Sequence, residues 1–373
     1  MDGIDQPSQL NDELINKLKK KKSKNLSSKE YVEGILSGNR TILSQAITLV
    51  ESSLPKDQEL AQEVIAACLK QSAIYDVRFT GGEERSLKSE IVNRKSSIRI
   101  GITGVPGVGK STFIEALGTY LTGKGHKLAV LAIDPSSSRS RGSILGDKTR
   151  MEELAVDPNA FIRPSPSAGS LGGVARKTRE TIVLCETAGF DVIFVETVGV
   201  GQSETSVHAM VDFFLLLMLA GAGDELQGIK RGIIEMADAI IINKADGDNF
   251  LKAKTARVEY ASALHLFPPS ETGWIPVSDI CSSRTKMGIE NIWNIILDHH
   301  RQMTEHGFFL KHRMEQNKQL LLESIEAGLQ QHFFSCKEII HTLPGIEQDI
   351  IEGKVSPYHA AQQLLEKYFY KGK

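Results

Sequence analysis

The sequence predicts an α/β fold, a mostly parallel central sheet flanked by helices, with helical extensions before and after it. Three observations carry this prediction. From Ile98 onward, short apolar runs alternate with amphipathic stretches, which is the rhythm of βα units. A glycine-rich segment from Gly104 to Ser111 separates the first apolar run from the first amphipathic stretch. Before about residue 95 and after about residue 305, apolar residues recur at helical spacing alone. The 373 residues therefore divide into an N-terminal helical segment (1–95), an α/β domain (96–305) and a C-terminal helical segment (306–373).

Taken in order, Tyr31, Ile35 and Leu36 mark one helix, and Ile42, Leu43, Ile47, Leu49 and Val50 a second. Leu60, Val64, Ile65 and Leu69 mark a third, with Pro55 near its start and Asp57 as a candidate cap. Gly81, Gly82 and the polar stretch to Ser97 read as a linker. Strands are expected at 98–103, 128–133, 160–163, 191–196, 213–219, 239–243 and 275–278. Helices are expected near 110–123, 174–188, 203–210, 229–237, 249–265 and 289–305. In the tail, Leu320, Leu321, Ile325 and Leu329 form one stripe, and Ala360, Ala361, Leu364, Leu365 and Phe369 another. Pro344 and Pro357 are expected to break this tail into separate helices.

Composition narrows the partners. Hydrophobic content of 41% and charged content of 24% suit a globular chain with a large core. A net charge of −2 gives no electrostatic case for nucleic acid or an anionic membrane as principal partner. The basic block from Lys17 to Lys24 follows Asp12 and Glu13 and reads as a solvated helix end. Cys68, Cys185, Cys281 and Cys336 are scattered, with no CxxC pair, and read as reduced, mostly buried thiols of a cytoplasmic protein. No signal peptide or spanning helix is visible: the most apolar run, Phe213 to Ala220, falls far short of the ~20 residues a bilayer needs.

Gly104-Val105-Pro106-Gly107-Val108-Gly109-Lys110-Ser111 matches GxxxxGK[ST], between an expected strand and a helix opening at Thr112. The glycines permit tight turns and close backbone approach, so main-chain N–H groups can surround phosphates. The helix N-terminus adds partial positive charge. Lys110 should neutralise the β and γ oxygens, and Ser111 should offer its hydroxyl to Mg²⁺. A chance glycine turn does not explain this spacing in this context. The chain is thus expected to carry a P-loop NTPase domain.

Asn243-Lys244-Ala245-Asp246 follows the apolar strand from Ala239 and matches NKxD. Asp246 can accept hydrogen bonds from the guanine N1–H and exocyclic amine, donors that adenine lacks in that arrangement. With ATP its carboxylate would be left unpaired, which is how polar sites reject analogues. Lys244 can lie over the base plane. A further base-side element is expected at Val277-Ser278-Asp279, with Ser278 as the candidate residue. The expected ligands are GTP and GDP with Mg²⁺.

Two acids fall at expected strand ends, Asp134 and Glu196, where ligands bind in open α/β sheets. Glu196 can reach the Mg²⁺ shell or the attacking water, and Gly199 can present its amide to the γ-phosphate. Asp147, in Gly146 to Arg150, is another acid on a candidate switch loop. Helix capping or a surface ion pair is the plainer reading of each. In the loop from Gly221 to Arg231, Lys230 or Arg231 could swing toward the phosphates, or the segment could be a solvated turn.

The stretches GVPGVGKST (104–112), AIDPSSSRSRGSILGDKTRM (132–151), RPSPSAGSLGGVARKT (163–178), ETVGVGQSE (196–204), LLLMLAGAGDELQGIKRGI (215–233) and NKAD (243–246) together resemble the methylmalonyl-CoA mutase-associated GTPases of the MeaB/ArgK type, in the SIMIBI class. The resemblance implies a homodimeric GTPase that acts as a chaperone for an adenosylcobalamin-dependent acyl-CoA mutase, gating cofactor loading and protecting the enzyme. It assigns Lys110, Ser111, Asp134, Asp147 and Glu196 to phosphate, magnesium and hydrolysis roles, and Lys230 to a partner-responsive switch. It places the dimer contact in the C-terminal helices. A metallochaperone GTPase is the alternative. That function needs Cys and His clusters, whereas His299 and His300 read as a surface pair on a helix and His208 stands alone.

Overall fold

The computed structural model describes residues 26–71, 97–134, 151–166, 171–197, 203–221, 231–268 and 270–369. Among the described residues three helices come first: α1 (Ser28–Leu36), α2 (Arg40–Glu51) and α3 (Pro55–Gln71). Ser27 caps α1 reciprocally with Glu30, and Asn39 caps α2 through Thr41 and Ile42. The α/β part runs β1 (Ile98–Gly104), α4 (Lys110–Gly123), β2 (Leu128–Asp134), α5 (Glu152–Val156), β3 (Ala160–Pro166), α6 (Leu171–Thr187), β4 (Val192–Thr197), α7 (Ser203–His208), β5 (Phe213–Leu219), α8 (Arg231–Met236) and β6 (Ala239–Asn243). It continues through α9 (Phe250–Leu264), β7 (Val277–Ile280) and α10 (Ile289–Glu305), and the tail is α11 (Phe308–Ser335), α12 (Lys337–Ile351) and α13 (Pro357–Phe369).

The seven strands lie in the order β3-β2-β4-β1-β5-β6-β7, and every pairing is parallel. A parallel sheet needs cover on both faces, which is why its strands read as unbroken apolar runs. In β5, Phe213, Leu215 and Leu217 pack with α4 and α10, while Leu216 and Met218 face the α9 side. Residues of α1, α2 and α3 share a core cluster with α6 and with Ile193, Val195 and Phe214 of the sheet. The N-terminal helices therefore cover one sheet face.

Two boundaries differ from expectation. β3 continues past Ile162 through Pro164 and Pro166, opposite Ala132 and Asp134. As an edge strand it has one side without a partner among the described residues, where a missing N–H is tolerated. Pro344 does not break the tail but lies inside α12. The break falls at Cys336, whose extended backbone ends α11 and starts α12. Packing of Ile339, Leu343 and Ile346 around Phe333, Leu364 and Tyr368 holds α12 helical across the proline. Pro357 does open a helix, as expected. The short α5 lacked a signal because five residues carry no periodicity. The linker 81–96 lies outside the described residues.

Candidate active site

The carboxyl ends of β1, β4, β5 and β6 converge on the loop between β1 and α4. Gly104, with φ +151°, approaches β5 so closely that a Cβ would fall 2.4 Å from the Leu217 carbonyl oxygen. Only glycine fits there. Lys110 opens α4 and its Nζ curls back to the carbonyls of Gly104 at 2.8 Å and Val105 at 3.4 Å. Burial lowers the Lys110 pKa, and the carboxylates of Glu196 and Glu204 oppose that shift. Ser111 and Thr112 stand in the first turn of α4, half-buried and exposed respectively, where helix N–H groups point outward.

The NKxD segment is bonded directly to this loop. Asn243 ends β6 and its Nδ2 donates to the Val108 carbonyl at 2.9 Å. The Lys244 Nζ donates to the Gly107 carbonyl at 2.8 Å. Lys244 has a left-handed φ of +59°, and Asn249 secures that kink by donating to the Lys244 carbonyl at 2.8 Å. Asp246 Oδ1 accepts from the Ser282 hydroxyl at 2.9 Å. Asn243 Oδ1 accepts from the Ser283 N–H at 3.2 Å and its hydroxyl at 2.9 Å. Beside these groups Thr112, Lys244, Asp246, Asn249, Ser283 and Arg284 line a cavity of about 460 Å³, within the usual range for a small-molecule site.

The side chains bonded to Asp246 and Asn243, Ser282 and Ser283, lie four to five residues beyond Ser278. Ser278 sits within β7 opposite Ile240, and its hydroxyl is buried with no hydrogen-bond partner among the described residues. The strand is expected at 275–278, but Ile275 is 67% exposed and β7 runs from Val277 to Ile280. With the strand moved, Cys281 to Ser283 become the loop at its carboxyl end. Sequence reasoning missed Ser282, Ser283 and Arg284 for that reason. It also missed Glu204, a buried acid that follows the glycine-rich run after β4.

Glu196 is buried near the end of β4, in register with Ile102 of β1 and Ala132 of β2. The neighbouring Thr197 hydroxyl donates to the Thr103 hydroxyl at 2.8 Å and ties the two strand ends together. Asp134 ends β2 at the same edge of the sheet. Asp147, Gly199 and Lys230 lie outside the described residues. The hydroxyl of Ser111 and the carboxylate of Glu196 are hard oxygen donors, the type suited to a small hard cation that keeps waters and phosphate oxygens in its shell.

Among the described residues, no three His, Cys, Asp or Glu side chains converge as a metal cage. His299 is not on the surface: it is buried edge-on to the rings of Phe213 and Trp274, and burial pushes its pKa down to about 4. The pair at 299–300 is therefore packing. All four cysteines are free and buried. No helix among the described residues is long and apolar enough to cross a membrane.

A family model described as methylmalonyl Co-A mutase-associated GTPase MeaB matches residues 78–338. The mitochondrial methylmalonic aciduria type A homolog of Mus musculus is 44% identical over 90% of this chain and 78% of its own. GTPase ArgK of Escherichia coli is 42% identical over 90% of this chain and 95% of its own. The crystal structure of a LAO/AO transport system kinase superposes with a TM-score of 0.67 at 36% identity, covering 91% of this chain and 97% of that one. A glycine loop closed over Lys110, bonded to an NKxD segment at the edge of a parallel sheet, is what a P-loop GTPase requires. The chain is a GTP hydrolase of this fold and belongs to the methylmalonyl Co-A mutase-associated GTPase family.

Proposed function

We propose that this GTPase is a chaperone for an adenosylcobalamin-dependent acyl-CoA mutase, methylmalonyl-CoA mutase in the first instance, and that its nucleotide state gates cofactor loading and protects the loaded enzyme. The observation that carries this is the family match across residues 78–338, which spans every motif of the site. In this reading the amides from Gly104 to Thr112 hold the phosphates, and Lys110 leaves its own loop carbonyls for the β and γ oxygens. Asn243, Lys244 and Asp246 hold guanine, with Ser282 orienting the Asp246 carboxylate.

Ser111, Asp134 and Glu196 would hold Mg²⁺, which supplies charge neutralisation at the transferring phosphoryl group. Glu196 and Asp147 orient the attacking water, and Lys230 adds positive charge when the partner binds. The protein works as a homodimer in the cytoplasm. Its dimer contact is the C-terminal part of α11, where Leu321, Leu322, Ile325 and Leu329 are exposed on a helix otherwise anchored to the domain.

The test is GTP turnover by the purified chain with and without the mutase, each with and without adenosylcobalamin. Slow intrinsic hydrolysis should rise when the mutase is added and respond to the cofactor. Turnover indifferent to both would reject the chaperone reading.

A further inference from the structure

A short 3₁₀ turn (Gly247–Asn249) runs straight into α9, so this helical run opens just after Asp246. Asp246 before the turn and Asn249 at its end are residue types that cap helices with their side chains. Neither does so here. The Asp246 carboxylate accepts from Ser282, and the Asn249 side chain reaches back five residues, where Nδ2 donates to the Lys244 carbonyl at 2.8 Å.

Lys244 is the residue that needs such a hold. Its φ of +59° is left-handed, a costly conformation for a side chain other than glycine. Across this kink the Lys244 Nζ meets the Gly107 carbonyl at 2.8 Å, while the next N–H, of Ala245, donates to the Cys281 carbonyl at 2.9 Å. A Cβ on Gly109 would lie 3.8 Å from Lys244 Cε, so the lysine stem runs along the phosphate loop. Lys244, Asp246 and Asn249 line the same cavity.

We propose that Asn249 is a positioning residue for guanine selectivity: its amide locks the left-handed Lys244, and so sets the Lys244 stem and the Asp246 carboxylate where the base is read. The unused cap separates this from a purely structural role. An asparagine kept for the stability of α9 would bond the free N–H groups of the helical run, and this one bonds the NKxD segment instead.

The inference rests on Asn243, Lys244 and Asp246 holding guanine, which Asp246→Asn tests separately. The experiment compares Asn249→Ala and Asn249→Asp with the unaltered full chain in Mg²⁺, reading Kd for GTP and for ATP by competition binding, and the melting temperature. Alanine removes the donor; aspartate, nearly the same shape, sets a carboxylate against the Lys244 carbonyl. Each should weaken GTP binding about five- to tenfold, the scale of one net hydrogen bond, while ATP binding, which rests on the phosphates, changes less than about twofold. An acid in the first turn of a helix is favourable, so Asn249→Asp should melt no lower than the unaltered chain. Adding Asn249→Ala to Asp246→Asn should lower the preference for GTP over ATP no further than Asp246→Asn alone, because both act through one element. An unchanged preference in both Asn249 variants, with Asp246→Asn losing it, would overturn the proposal. So would equal losses for GTP and ATP together with a lower melting temperature in both, which would leave Asn249 a stabilising contact only. An unchanged preference in Asp246→Asn as well would reject the base site, and the proposal with it.

Discussion

Lys110 donates to its own loop carbonyls, and burial lowers its pKa against the opposing carboxylates of Glu196 and Glu204. Lys110→Ala should weaken GTP binding by about 100-fold or more, the scale of losing charged hydrogen bonds to phosphate. Titration calorimetry with Mg²⁺ checks this, and retained micromolar affinity would contradict it. Asp246→Asn should erode the preference for GTP over ATP by about 10- to 100-fold, read by competition binding. Ser282→Ala removes the hydroxyl that orients Asp246 and should weaken GTP binding about five- to tenfold, the value of one net hydrogen bond. His208 carries a pH dependence. Burial, with His312 as a like-charged neighbour, pushes its pKa down to about 4. The unfolded chain takes up that proton near the ordinary value of about 6.5. Stability should therefore fall as pH drops from about 6.5 to about 4, by roughly 1–3 kcal/mol from this residue. Thermal melts of His208→Leu across that window should show a shallower slope.

At the scale of elements, most of the sheet was legible because each strand announces itself by a short apolar run. Helix α4 and helix α10 coincide with expectation for a related reason, since an amphipathic stripe of four turns or more outweighs local noise. The departures share a cause. Pro164, Pro166 and Pro344 are strong local signals that long-range contacts override, by an edge position in β3 and by packing against Phe333 and Leu364 in α12. An interior helix proline costs up to ~3 kcal/mol, partly offset through the unfolded state. Pro344→Ala should therefore raise the melting temperature, with a net gain of about 1–2 kcal/mol. Scanning calorimetry decides it, and an unchanged or lower value would mean that the pyrrolidine ring itself contributes to packing.

For the whole molecule, the N-terminal helices, the sheet and α11 are joined through shared core and the Arg313 network, which no segment-by-segment division expresses. The exposed apolar stripe on the far part of α11 leads us to expect that Leu321→Asp or Ile325→Asp turns a dimer into a monomer, read by sedimentation. A wild-type monomer would reject the homodimer. The sequence alone determined the fold class, the phosphate loop, the guanine motif and the acids at the ends of β2 and β4, because spacing along one strand–loop–helix unit is local information. Tertiary structure decided what depends on residues far apart in the chain. It placed Ser282 rather than Ser278 beside Asp246, bonded Asn243 to Val108 and set α11 on the turn before β5. Those contacts exist only once parallel strands from distant segments have paired and their carboxyl ends share one edge, a geometry that no local pattern encodes.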